Sequence, residues 1–187
     1  MSHNGTHGLG SILSGEPRPS QDFYSPFRGP LRRKSMIKEI LNQFIGVVRP
    51  FKALEVFPNL FQGSQIKNQE DIEKIRELKI KTIIDLEGGF DPPMGFLDFY
   101  LYWPISDVPW LPDLENLYSV GGFCVEQLNK NERVLVHCKQ GLNRSGLVCG
   151  RIMSVMGWRG PEILKAINEK IPGALWNPVF REYIRGL

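Results

Sequence analysis

The sequence is short of the residues from which disulfide frameworks and metal cages are built, with three cysteines and three histidines in 187 residues. An odd number of cysteines, at 124, 138 and 149, does not make a disulfide framework. No group of Cys, His, Asp or Glu has metal-ligand spacing, so neither a metal nor another cofactor is expected. No apolar run approaches the roughly 18 to 20 residues a helix needs to cross a bilayer. The N-terminus lacks the charged start and following apolar stretch of a secretory signal. Together these absences lead to the expectation of a reducing, cytoplasmic setting without a transmembrane segment. Excess charge is scarce as well. Residues 1–52 hold eight Lys/Arg against three Asp/Glu and residues 53–187 hold fifteen against seventeen, so the net charge of +3 arises at the start of the chain. The balance in the larger part counts against a broad nucleic-acid surface there.

What is present is a hydrophobic content of 42%, enough for one core in a chain of this length. Residues 1–35, rich in Gly, Ser, Pro and His and without an apolar period, read as a disordered or loosely ordered tail. Over residues 36–50, Ile37, Ile40, Leu41, Phe44, Ile45 and Val48 form the single apolar face of an amphipathic helix ended by Pro50. The pattern suits packing against the following domain. The basic run Arg32-Arg33-Lys34 before it keeps a membrane surface or a partner as the alternative.

From Leu54 the pattern changes. Leu54 to Ser64 reads as strand, turn and strand; Ile72, Ile75 and Leu78 mark a short helix; Thr82 to Leu86 and Phe99 to Trp103 read as further strands. Alternation of helix and strand predicts an α/β fold, with a central mixed sheet of about five strands flanked by helices. Asp113 is placed to cap a helix containing Leu114, Leu117, Tyr118 and Leu128. Later helices are marked by Val148, Ile152, Val155 and Met156, by Ile163, Leu164 and Ile167 after Pro161, and by the segment after Asn177-Pro178.

The most informative stretch is Val134-Leu135-Val136-His137-Cys138-Lys139-Gln140-Gly141-Leu142-Asn143-Arg144-Ser145-Gly146. Three β-formers lead in and an apolar helical pattern leads out, so Cys138 stands at the mouth of a helix N-terminus. Unpaired N–H groups and the positive end of the helix dipole make that place an anion site. Cysteines so placed near a cation ionise more readily than a free thiol and act as nucleophiles. Arg144 adds a planar fork that meets two phosphate oxygens at once. Ser145 can donate its hydroxyl hydrogen to the Cys138 sulfur.

His-Cys, five residues and then Arg-Ser resembles the signature of the cysteine-dependent protein phosphatases, and the length is similar to that of their dual-specificity branch. The resemblance covers roughly residues 54–187. It implies a phosphate loop between a strand and a helix within a dual-specificity phosphatase-like domain over residues 51–187, and hydrolysis of phosphate monoesters through a phosphocysteine, with no metal. It also implies that His137 points inward and shapes the loop. Lys139, Gln140, Gly141, Leu142, Asn143 and Arg144 then surround the substrate phosphate.

Cleavage of a phosphate ester also needs a proton donor for the leaving oxygen, and a loop-mounted Asp can supply one. Asp107, in the proline-rich loop Ile105 to Asp113, lies 31 residues before Cys138. That is similar to the family's acid-to-nucleophile spacing, and Asp107 takes the role. The expected partner is a phosphorylated protein, carrying phosphotyrosine and phosphoserine/threonine. The family's usual loop has Ala-Gly and then Ser before Arg, where this chain has Gln140-Gly141 and Asn143. Gly141-Leu142-Asn143-Arg144 resembles the loop of the superfamily's RNA 5′-triphosphatases, and Lys139 beside the nucleophile brings in phosphoinositides. Both stand as alternatives, with a phosphate-binding adaptor the least favoured. Cys124 and Cys149 are read as buried core thiols, with a resolving role toward Cys138 as the alternative.

Overall fold

Val134, Leu135, Val136 and His137 are all buried. A strand apolar on both faces belongs inside a sheet covered on both sides, and that is where β5 (Arg133–His137) lies. The computed structural model describes residues 50–187. The tail expected over 1–35, and all but the last residue of the helix expected over 36–50, fall outside them. Four further strands complete the sheet: β1 (Ala53–Phe57), β2 (Leu60–Gly63), β3 (Ile80–Asp85) and β4 (Phe99–Tyr102). Their order is β1-β2-β5-β3-β4, with β1 antiparallel to β2 and every other pair parallel. The mixed five-stranded sheet of the sequence reading is therefore present, joined by α1 (Gln69–Glu77), α2 (Leu114–Asn129), α3 (Arg144–Val155), α4 (Gly160–Lys170) and α5 (Pro178–Arg185).

The period of two along the strands sorts side chains between two cores. Leu60, Ile84, Val134 and Val136 enter the larger core with Leu117, Cys124, Val148, Ile152, Ile163 and Phe180, so α2 to α5 cover that face. Phe61, Ile83 and Leu135 enter the smaller one with Ile72 and Ile75 of α1. Ile80 joins Ile83 there despite a spacing of three, because the β3–β5 register shifts between Ile80 and Thr82 and restores the face.

Some expectations shift. The third strand begins at Ile80 and ends at Asp85 rather than running from Thr82 to Leu86. In α2, Asp113 caps as expected, accepting from the Asn116 N–H at 2.7 Å, but Leu114 and Tyr118 are exposed. The inner face runs instead through Leu117, Val120, Gly121, Cys124 and Leu128, and Tyr118 takes the Arg151 guanidinium over its ring, 4.4 Å from the centroid. In α3, Val155 is exposed while Cys149 and Met153 are buried. The first two turns of that helix are enclosed by the sheet and by neighbouring helices, and Val155 lies at its end, beyond that cover. Among the described residues no helix is long and apolar enough to cross a membrane.

Candidate active site

At the C-terminal end of β5 the chain leaves the sheet, turns through residues 138–143 and enters α3. The turn is bound to its neighbours at several points. The Cys138 N–H donates to Gly63 O at 3.3 Å, and Leu86 N–H donates to His137 O at 3.1 Å. Gly141 has φ +70°, and a Cβ on it would lie 2.7 Å from both the carbonyl carbon and oxygen of Gly63. Conformation and space thus both demand glycine there. Gln62, buried in β2, donates from Nε2 to Gly141 O at 3.0 Å and to Leu142 O at 3.3 Å. Lys139 O accepts from Gln65 N–H at 3.4 Å, while the N–H groups of residues 139–143 have no backbone acceptor among the described residues. With its carbonyls held by β2 and its amides free, the turn is an anion cradle.

Cys138 is 2% exposed at the base of this cradle, and its Sγ lies 3.4 Å from Ser145 Oγ. Arg144 follows in the first turn of α3. Its Nη1 donates to Leu86 O at 3.1 Å and Ile105 O at 3.2 Å, and its Nη2 donates to Glu87 Oε2 at 3.1 Å. Three of the five guanidinium hydrogens are thereby used. The two left, on Nε and Nη2, are donors that a phosphate can use. Nε is buried and has no protein partner.

Asp107 is brought to the cradle from the loop after β4. Its Oδ2 accepts from Asn143 Nδ2 at 2.9 Å and its Oδ1 from Asn177 Nδ2 at 2.9 Å. Of the residues expected around the phosphate, Lys139 and Gln140 are exposed, Gly141 and Asn143 are buried, and Leu142 is half-buried. The Asn143 side chain is turned to Asp107 and Asn177.

Beneath the loop lies a polar cluster built around the buried His137 and Asp85. His137 Nε2 is 2.8 Å from Asp91 Oδ2 and 3.5 Å from Asp85 Oδ1. Tyr100 donates its hydroxyl to Asp85 Oδ2 at 2.5 Å and accepts from Asp91 N–H at 3.1 Å. Glu87 N–H donates to Asp85 Oδ1 at 2.8 Å, so the cluster leads directly to the residue that holds Arg144. Burial pushes the Asp85 carboxyl up, and burial with the hydrogen bond to Asp85 does the same for the Tyr100 hydroxyl. Donor atoms of Asp85, Asp91 and His137 lie within 4.8 Å of one another, a set of metal-ligating types that sequence spacing gave no sign of. Protein hydrogens already meet both oxygens of Asp85. Burial pushes the Cys124 thiol up to about 12 and holds that of Cys149 well above its ordinary range, so both stay protonated at neutral pH. The core reading of these two thiols fits better than the resolving one.

Sequence reasoning missed Gln62, Glu87, Asp85, Asp91 and Tyr100 as parts of the site. A signal existed for two of them. Gln62 and Asp85 are polar residues within apolar strands, near the strand ends that flank His137.

A phosphate-sized cradle between the central strand and the following helix, on a sheet of this order, is the architecture of the cysteine-dependent phosphatases. Residues 60–185 match the family described as dual specificity phosphatase, catalytic domain, and the chain belongs to that family. It is similar to dual specificity protein phosphatase 15 of Homo sapiens, 30% identical over 132 residues that make up 69% of this chain and 43% of that protein. It is likewise similar to dual specificity protein phosphatase 19 of Mus musculus, 30% identical over 144 residues, 75% of this chain and 60% of the relative. The chain thus spans about half the length of the curated relatives it matches. Among solved structures it resembles that of DUSP15, with a TM-score of 0.60 and 26% identity over 71% of this chain and 85% of the other. It also resembles the human tyrosine phosphatase-like serine/threonine/tyrosine-interacting protein, with a TM-score of 0.62 and 21% identity over 71% of this chain and 93% of the other, a likeness of fold alone.

Proposed function

We propose that residues 51–187 form a catalytic domain that hydrolyses phosphate monoesters through a phosphocysteine, acting on phosphotyrosine and phosphoserine/threonine in proteins. The observation that carries this reading is the Arg144 guanidinium, pinned by three acceptors with its buried Nε left without a partner, at the start of the helix into which the Cys138 turn leads. In the first step the Cys138 thiolate forms a bond to phosphorus as the bond from phosphorus to the leaving oxygen breaks. Asp107 gives that oxygen its proton. Arg144 and the free amides of the loop bind the three equatorial oxygens and neutralise their charge. In the second step water attacks phosphorus, Asp107 takes up a proton from it, and the S–P bond breaks. Ser145, 3.4 Å from the sulfur, donates a hydrogen bond to the departing thiolate. Membership of the dual specificity phosphatase family supports the choice of protein substrates. The need to keep Cys138 reduced supports a cytoplasmic setting.

Cys138→Ser should lose turnover of p-nitrophenyl phosphate and phosphopeptides while still binding tungstate, and acid quenching of the wild type should trap a phosphocysteine at position 138. A Cys138→Ser protein as active as the wild type would overturn the mechanism. Release of phosphate from triphosphate-ended RNA or inositol lipids, in preference to phosphopeptides, would overturn the substrate class alone.

A further inference from the structure

Asn143 occupies the N-cap of α3 and is a residue type well suited to capping, yet its side chain makes no capping hydrogen bond. Both of its polar atoms are used elsewhere. Oδ1 accepts from the Asn177 N–H at 3.1 Å, and Nδ2 donates to Asp107 Oδ2 at 2.9 Å. Asn177 is the N-cap of α5 and does cap: its Oδ1 accepts from the N–H groups of Val179 and Phe180. Its Nδ2 donates to Asp107 Oδ1 at 2.9 Å and to Val108 O at 3.0 Å. Asn143 and Asn177 are 2% and 4% exposed, whereas Asp107 lies on an exposed loop. Two buried amides, each oriented by partners on both ends, therefore grip the two oxygens of one exposed carboxylate. Buried amides cost free energy unless satisfied, and here the satisfaction joins the phosphate loop, the acid loop and the last helix.

We propose that Asn143 is a positioning residue for the proton donor. With Asn177 it holds the Asp107 carboxylate against the phosphate loop before substrate arrives, so that Asp107 is set by the loop that binds the phosphate and not by closure over the substrate. The proposal rests on Asp107 being the proton donor of the reaction above. The side chain of Asn143 then acts on proton delivery, and phosphate binding is left to the loop amides and Arg144.

The test compares an activated aryl ester, p-nitrophenyl phosphate, with a phosphoserine peptide whose alkoxide departs poorly without a proton. Because general-acid assistance is worth on the order of 100-fold or more, Asn143→Ser should lose at least about tenfold in kcat/KM on the peptide and less than about threefold on the aryl ester, with tungstate affinity kept within about twofold. Asn177→Asp keeps the capping oxygen but replaces the donor with a second carboxylate facing Asp107. It should show the same selective loss, and it carries the test if Asn143→Ser does not fold. Adding Asn143→Ser to Asp107→Asn should cause no further loss, since both act through one group. Equal losses on the two substrates, or none, in Asn143→Ser and Asn177→Asp would overturn the proposal while a selective loss in Asp107→Asn left the proton donor standing. A loss in Asp107→Asn that does not discriminate the substrates would overturn the assignment of the proton donor and the clamp with it.

Discussion

Cys138 and Arg144 can be read from the chain because the proposed chemistry dictates their types and spacing: a sulfur nucleophile and a planar cation that face one phosphate. The residues that aim them cannot be read in this way. Glu87 lies in what reads as an ordinary Gly-rich loop, yet it takes one Nη2 hydrogen of Arg144 and so helps select which edge of the fork is left for substrate. Gln62 sits in a strand where apolar residues are the rule, and its one amide nitrogen serves two loop carbonyls from 79 and 80 positions away. Gln62→Leu would leave both carbonyls short of a donor in a buried place, which costs about 1 to 3 kcal/mol for such a group. The variant should melt at a lower temperature and bind tungstate more weakly, as thermal denaturation with and without tungstate will read. Unchanged melting and unchanged affinity would mean that the loop holds its shape without this support.

At the level of the element, the phosphate loop depends on how closely β2 and the β5–α3 turn approach each other. Gly141 lies against the backbone of Gly63 and adopts φ +70°. Gly141→Ala meets both obstacles, a left-handed backbone that L side chains rarely adopt and a Cβ only 2.7 Å from Gly63 C and O. The loop has to move away from β2, and the amides then no longer converge on one anion. Tungstate affinity should fall by at least about tenfold while the far-ultraviolet circular dichroism keeps the wild-type content of helix and strand. A wild-type affinity would mean that the cradle does not depend on this contact. The helix leading out of the loop shows a related limit of sequence reading. Val148, Ile152 and Val155 share a helical face by spacing alone, but Val155 is exposed and Met153 buried. Periodicity locates an inner face only while cover from neighbours lasts along the helix.

For the molecule as a whole, protons held by buried groups contribute to alkaline stability. Burial raises the Cys124 thiol from its ordinary 9.0 to about 12, and burial together with Tyr118 raises the Tyr183 hydroxyl from 10.0 to about 12. The unfolded chain releases these protons at their ordinary values and the folded chain does not. The stabilisation is therefore complete below 9.0 and is lost as the pH rises from there through about 12. Urea midpoints measured between about pH 8 and about pH 11 should fall steadily, and less steeply in Cys124→Ala, which removes one of the groups. A slope unaltered by Cys124→Ala would assign the alkaline loss to other groups. The same burial should keep Cys124 and Cys149 unalkylated in the native protein at neutral pH, which mass spectrometry of the alkylated protein will check.

The sequence by itself determined the α/β class, the strand–loop–helix around Cys138, the position of the Arg144 fork at the helix start and the cap at Asp113. Each depends on local spacing or on the chemistry of a single side chain, which a linear chain carries in full. Only the tertiary structure decided which residues surround them. Asp85 and Asp91 converge on His137 and Tyr100 bonds Asp85, Glu87 meets Arg144, and Asn143 and Asn177 close on Asp107. The physical reason is that parallel strands bring their C-terminal ends to one side of the sheet whatever their separation along the chain. The buried polar groups gathered there, such as Asn143 and Asn177, must find partners in the protein, because burial leaves them no water.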